Sequence, residues 1–142
     1  MTQRDLVPLP SDECFALLGQ ASIGRLVYQD HEGPVAVPVN YALAGTDIVI
    51  RVEGGVKRAA MSQPTLAFEV DRIEEDERSG WSVIVRGAGK EVDLEAVPDL
   101  LRQMQGHPPL PWAHGVHNVW LRITPGRVTG RRLGASRSGA LF

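Results

Sequence analysis

Pro38-Val-Asn-Tyr-Ala-Leu43, Ile48-Val-Ile-Arg-Val-Glu-Gly-Gly-Val-Lys57 and Gly80-Trp-Ser-Val-Ile-Val-Arg-Gly87 decide how this chain reads. Each is rich in β-branched and aromatic residues, as expected of strands that rest on a core. Ala44-Gly-Thr-Asp47 is a turn-forming cluster between the first two. The second ends in Gly54-Gly55, where backbone amides can converge with no Cβ in the way, and the cations Lys57 and Arg58 follow at once. The expectation is three strands with an anion site between two of them.

Working outward, Ser11 reads as the N-cap of a short helix over residues 12–18, with Asp12 and Glu13 at its positive end and Gly19 closing it. Residues 23–29 and 34–43 form a hairpin around Asp30-His-Glu-Gly33. Pro38 inside the return strand requires an edge, a bulge or a contact other than a neighbouring strand, because proline has no N–H to donate. A third strand spans 47–52, one or two helical turns span 57–61, and residues 65–73 alternate cleanly between Leu66, Phe68, Val70 and Ala67, Glu69, Asp71. Glu74-Glu-Asp-Glu77 is a solvated connection, and residues 80–92 form a long strand broken at Gly87-Ala-Gly89. Residues 97–104 have helical period, 107–117 are too rich in proline for regular structure, and strands at 119–123 and 127–133 flank Thr124-Pro-Gly126. Residues 134–142 read as a frayed or docked tail. Six or seven short antiparallel strands with two or three small helices predict a β-dominated fold, a closed or split Greek-key barrel, as a single domain over 1–142.

The chain has 142 residues, 43% of them apolar, and a net charge of −2, which suits one globular domain and excludes a broad nucleic-acid footprint. Cys14 is the single cysteine, so no intrachain disulfide forms and a reducing compartment, the cytoplasm, is expected. No long apolar run suggests a signal peptide or a membrane span. His114-x-x-His117, with His107 nearby, invites a metal, but no acidic or thiol co-ligand accompanies it in that segment, so these read as neutral loop histidines and no metal is expected. No Ser-His-Asp order or G-x-S-x-G elbow supports hydrolytic chemistry. Trp81 reads as a core residue.

Gly24-Arg25-Leu26, Val37-Pro-Val-Asn-Tyr41, Phe68-Glu-Val-Asp71, Gly80-Trp-Ser-Val83, Pro111-Trp-Ala113 and Thr129-Gly-Arg-Arg132 carry, in this order, a resemblance over nearly the whole chain. The chain resembles the flavin-binding split-barrel proteins similar to pyridoxamine 5′-phosphate oxidase, in their small bacterial subgroup. That resemblance implies a homodimer with two flavin mononucleotide (FMN) sites at the subunit interface. Carried over by position, it implies that Val37, Pro38, Val39 and Asn40, together with Ile50, Arg51 and Val52, line the isoalloxazine ring, chiefly through backbone groups. It further implies that Lys57 meets the phosphate, Ser82 approaches the phosphate or ribityl chain, Trp112 borders the ring and Arg131 reaches the site. Two positions depart from the pattern. Glu53 and Val56 stand where related sequences have a small hydroxyl residue; a carboxylate repels a phosphate and valine cannot donate to it.

The function so implied is a flavin-dependent oxidoreductase acting on a small-molecule substrate that the residues do not name. Pyridoxamine 5′-phosphate oxidation itself is not expected. True oxidases resemble one another at a C-terminal segment with an arginine and a histidine for the substrate phosphate and a tryptophan-containing end, whereas this chain reads Arg137-Ser-Gly-Ala-Leu-Phe142. The alternatives are a deazaflavin-dependent reductase on the same barrel, or a non-catalytic dimeric barrel that holds haem or another small ligand.

Overall fold

Leu26, Tyr28, Phe68, Val70, Val83 and Val85 are buried while their chain neighbours on the same strands are mostly exposed or half-buried. That alternation arises because a strand sends successive side chains to opposite faces, and it gathers these residues into the main core. In the computed structural model, which describes residues 6–109 and 118–134, the strands are β1 Leu6–Leu9, β2 Ile23–Asp30, β3 Gly33–Ala44, β4 Asp47–Val52, β5 Leu66–Glu74, β6 Ser79–Glu91, β7 Met104–Gln105 and β8 Val119–Leu133. The helices are α1 Ser11–Leu18, α2 Gly54–Met61 and α3 Val97–Gln103, the last preceded by a 3-10 turn, Leu94–Ala96. Neighbours run in the order β8-β4-β3-β2-β5-β6, and β6 pairs back onto β8 to close a six-stranded antiparallel barrel. The two short strands add outside this ring, β1 on β8 and β7 on β3. The expected β-dominated barrel with short helices is therefore the observed architecture.

Inside, Phe68 meets Tyr41 edge-on at 5.2 Å between ring centroids, and the Tyr41 hydroxyl donates to the Leu18 carbonyl at 2.5 Å, which ties α1 to the barrel end. The Phe68 ring leaves no room for a side chain at Gly24, whose Cβ would lie 2.5 Å from it. Trp81 is buried, as expected. A second, smaller core lies on the outside of the barrel, where Leu100 of α3 covers Ala44 and Val49, with Trp120 packed beside them.

Several boundaries differ from expectation for identifiable reasons. Ser11 is the first helical residue of α1 and Pro10 holds the cap position, its carbonyl accepting the Cys14 amide at 3.0 Å. The helix α2 starts at Gly54 rather than Lys57; the glycines, poor helix formers, hid its first turn, and the Lys57 amide bonds the Glu53 carbonyl at 3.0 Å. Strand β1 has no local signal because its partner, β8, lies far along the sequence. Residues 119–133 are one strand, not two, and β6 is not broken at Gly87. There the pairing jumps from Arg86↔Arg127 to Gly87↔Pro125, so Gly126 is bulged out and both strands continue.

The outward face of the sheet carries a charged cluster. Arg25 Nη1 lies 3.0 Å from both Glu69 Oε1 and Asp71 Oδ2, so one guanidinium nitrogen holds two carboxylates on adjacent outward positions of β5. Burial, then the Asp71 carboxylate, pushes the Glu69 carboxyl up to about 7 against the pull of Arg25. Ser82 lies opposite Asp71, and Arg131 opposite Ser82, so both stand on this same face.

These contacts lead to two expected outcomes. A Cβ at Gly87 would lie 1.9 Å from the Thr124 carbonyl oxygen. Gly87→Ala is expected to cost about 1–3 kcal/mol, lowering the melting temperature by roughly 3–10 °C in a thermal scan. A carboxyl whose folded-state pKa is raised stabilises the fold at low pH and loses that contribution as pH rises, here between the ordinary 4.5 and about 7. Denaturant titrations should therefore show Glu69→Gln gaining on the wild type across that window, and parallel pH profiles would count against the cluster.

Candidate functional site

The barrel opens between β3 and β4. Among the described residues, Tyr41↔Ile50 is the last rung the two share; before it β3 runs back to Gly33 with β2 on one side only, and beyond it Arg51 and Val52 pair with Trp120 and Val119 of β8 alone. The Tyr41 amide donates to the Ser22 carbonyl at 3.0 Å. By antiparallel alternation Val37 and Val39 then direct their backbone groups to β2, while Ala36 and Pro38 direct theirs to the open side. Pro38, exposed, is thus on a strand edge, one of the settings its sequence required.

The expected ring-lining residues divide by face. Val39, Ile50 and Val52 point into the core, 8%, 0% and 5% exposed, so only their backbone is available to a ligand. Pro38, Asn40 and Arg51 lie on the outward side, and Val37 is half-buried. The Arg51 guanidinium sits over the Trp120 ring, 4.9 Å from its centroid, and its buried Nε has no hydrogen-bond partner. Nothing in the chain's local pattern singled out Trp120; only the β4–β8 register brings it to Arg51.

The helix α2 comes directly after β4. Its N-terminal residues Gly54 and Gly55 are flanked by open space, since a Cβ at either would meet nothing within 4 Å. No side chain caps this end, so its first amides are available to an anion. Lys57 stands one turn in, but its Nζ is 3.1 Å from Glu91 Oε1 at the end of β6, a partner the sequence did not suggest. Glu53, at the cap position, is exposed, and its carboxylate is near enough to Tyr28 to help burial and Asp30 raise that phenol's pKa.

Two expected residues lie elsewhere in the chain. Ser82 and Arg131 share a rung, nine positions along β6 from Glu91, a separation of up to about 30 Å for an extended strand. The structure therefore gathers residues 37–40, Arg51, Val52 and Lys57 at the barrel opening and leaves Ser82 and Arg131 nine positions along β6 from the Glu91 that pairs with Lys57. Trp112, His114 and His117 lie outside the described residues, and His107 is exposed. Among the described residues no three His, Cys, Asp or Glu side chains group to hold a metal ion. No helix there is long and apolar enough to cross a membrane.

Beside the α2 terminus lies a cleft of about 770 Å³, bounded by Gly54, Arg58, Glu91, Asp93, Glu95 and Trp120 among others. Its volume is in the range of small-molecule sites. Arg58, Asp93 and Glu95 are exposed.

Comparison with known proteins agrees with this architecture. A Mycobacterium tuberculosis protein of uncharacterised function, Rv0080, is 31% identical over 137 residues, covering 92% of this chain and 87% of its own. The structure of the FAD binding protein from Mycobacterium smegmatis superposes with a TM-score of 0.74 at 29% identity, covering 90% of this chain and 98% of that one. A FAD-binding protein from Mesorhizobium loti shares the fold with a TM-score of 0.69 at 21% identity, over 89% and 97% of the two chains. The family model for pyridoxamine 5′-phosphate oxidase matches residues 10–132, so the barrel, its opening and the helix beside it belong to a member of the pyridoxamine 5′-phosphate oxidase family.

Proposed function

We propose that this protein is a homodimeric flavin-nucleotide-binding oxidoreductase, with the isoalloxazine ring along the open edge of β3 and the phosphate at Arg51, Lys57 and the first turn of α2. The observation that carries this reading is Arg51. A buried donor without an acceptor costs about 1–3 kcal/mol, and a phosphate oxygen beside its unpartnered Nε would remove that cost. Trp120 holds the guanidinium plane in place for that contact. FMN is the smallest ligand that supplies both the ring and the phosphate. The 29% identity to the FAD binding protein of M. smegmatis supports a flavin as the group bound.

When bound, the flavin supplies hydride or electron transfer to a small-molecule substrate. The chain's own residues bind and orient it. Backbone groups of Ala36 and Pro38 on the open edge meet the polar rim of the ring, and the buried Val39, Ile50 and Val52 keep that edge rigid from beneath. A second copy completes the site. Ile23 and Ile73, each 48% exposed on the outward face, are apolar surface that a symmetric partner would cover, and only a partner could bring Ser82 and Arg131 to a ring bound at the opening. A flavin is preferred to a deazaflavin coenzyme because the latter's longer anionic tail would meet the carboxylates of Glu91, Asp93 and Glu95. The buried, lone Cys14 accords with a cytoplasmic setting.

The visible spectrum of the purified protein tests the cofactor, since flavin, deazaflavin and haem absorb differently. Arg51→Gln is expected to weaken FMN binding roughly ten- to hundredfold and to leave riboflavin, which has no phosphate, unchanged. An equal loss for both ligands would remove Arg51 from the phosphate. Light scattering on a sizing column should report a dimer; a monomer at micromolar concentration would end the shared-site reading.

A further inference from the structure

Arg25, Glu69 and Asp71 stand on the outward sheet face between the two regions that a shared site has to join. The sheet order β3-β2-β5-β6 puts β2 and β5 between the open edge of β3 and Ser82 of β6. One row runs straight across through Pro38↔Arg25, Arg25↔Glu69 and Glu69↔Ile84, and the next holds Asn40↔Ile23 and Asp71↔Ser82. A symmetric partner is related by a two-fold rotation, and one that lays Ser82 of each copy on the β3 edge of the other has its axis midway between them. Midway lie β2 and β5. Ile23 and Ile73, each 48% exposed, flank the charged cluster on those two strands. Because Arg25 is on β2 and the carboxylates are on β5, the same rotation turns Arg25 of each copy toward the carboxylates of the other.

Each cluster has one guanidinium for two carboxylates, both 3.0 Å from Arg25 Nη1, so one negative charge is in surplus when both are ionised. Joining two copies buries two such surpluses side by side, where loss of water and like-charge repulsion both disfavour the ionised form. A proton on Glu69 removes the surplus, because its carboxyl then donates to the Asp71 carboxylate and Arg25 balances the one charge left. The further cations on this face are solvated: Arg86 stands diagonal to Glu69 on β6, and Arg131 lies beyond Ser82 on β8, both exposed. The remaining neighbours of Glu69 on this face, Ile84 on β6, Thr129 on β8 and Pro38 on β3, carry no charge. With all of these in place, burial and Asp71 already hold the Glu69 carboxyl near neutrality. We propose that two copies meet over these clusters and that each copy takes up one proton there as they join, so that acid tightens the dimer and alkali loosens it. The inference rests on the dimer of the reading above, not on its flavin.

Sedimentation equilibrium of the full chain at about pH 6 and about pH 8.5 tests it. A carboxyl that holds its proton more tightly in the dimer stabilises the dimer below the free chain's pKa, about 7, and loses that contribution as pH rises. The dimer dissociation constant should therefore rise roughly ten- to hundredfold between the two conditions. Glu69→Gln, neutral in both, should keep the tighter constant in both. Asp71→Asn leaves Glu69 ionised beside Arg25 with no surplus charge, so its constant should also stay level, with circular dichroism reporting a folded chain for each variant. Glu75→Gln, on the exposed β5–β6 turn, should follow the wild type. Equal wild-type constants, dissociation in neither condition, or a constant that falls as pH rises would overturn the inference and leave the dimer standing. A rise that survives both Glu69→Gln and Asp71→Asn would also overturn it, because the proton would then be taken up elsewhere, as at a histidine. If the wild type is a monomer in both conditions, the dimer reading fails and this inference with it.

Discussion

Pro38 has no amide hydrogen, and its backbone faces the side where β4 would have to continue the ladder. That missing donor favours ending the β3–β4 pairing near Tyr41↔Ile50, because an unmet carbonyl on β4 would otherwise be enclosed in the sheet. Pro34 stands at the same parity on the same edge and acts in the same direction. Everything distinctive about the site depends on this opening. It leaves a strand edge free to meet a ligand, lets Arg51 stand outward with only β8 beside it, and gives α2 its place at the rim.

The opening is tolerable because the rest of the barrel is closed. Twelve rungs between β6 and β8, from Gly80↔Leu133 to Glu91↔Leu121, carry the chain around to β4 from the other side. The bulge at Gly126 lets Pro125 sit in that ladder without a broken hydrogen bond, and Gly87 gives the opposing backbone room to approach. Core burial of Phe68, Leu26, Ile48, Ile50, Leu121 and Ile123 then holds the inner faces of both halves together across the opening.

Electrostatics differ between the two outward regions. At the opening, cations and carboxylates are interspersed, and an aromatic ring rather than a carboxylate holds Arg51. On the far face, Arg25 serves two carboxylates and one of them titrates near neutral pH. Membership of the pyridoxamine 5′-phosphate oxidase family accounts for the barrel, while a ligand is recognised by the particular side chains set on it, and this chain places Glu91, Asp93 and Glu95 around the cleft beside α2.

Much of the architecture was legible in the sequence. Alternating patterns at 66–71 and 80–85, turn clusters at 30–33 and 44–47, and Pro38 as an edge marker are local signals, since side-chain period and turn chemistry depend on neighbours in the chain. Residues 37–40, 51, 52 and 57, named by the family resemblance, lie on two consecutive strands and the helix after them. What local pattern could not carry were partners distant in sequence: β1 against β8, Trp120 beneath Arg51, Glu91 on Lys57 and the continuity of β8 through Pro125. The amino-acid sequence by itself determined most of the strands, that Pro38 needs an edge, a bulge or another contact, and that Lys57 and Arg58 follow the glycine pair after β4. Only the tertiary structure decided which of the cations at the opening is already neutralised, which is left with an unmet donor, and what cleft adjoins them, because strand register and barrel closure bring together residues that no short-range periodicity relates.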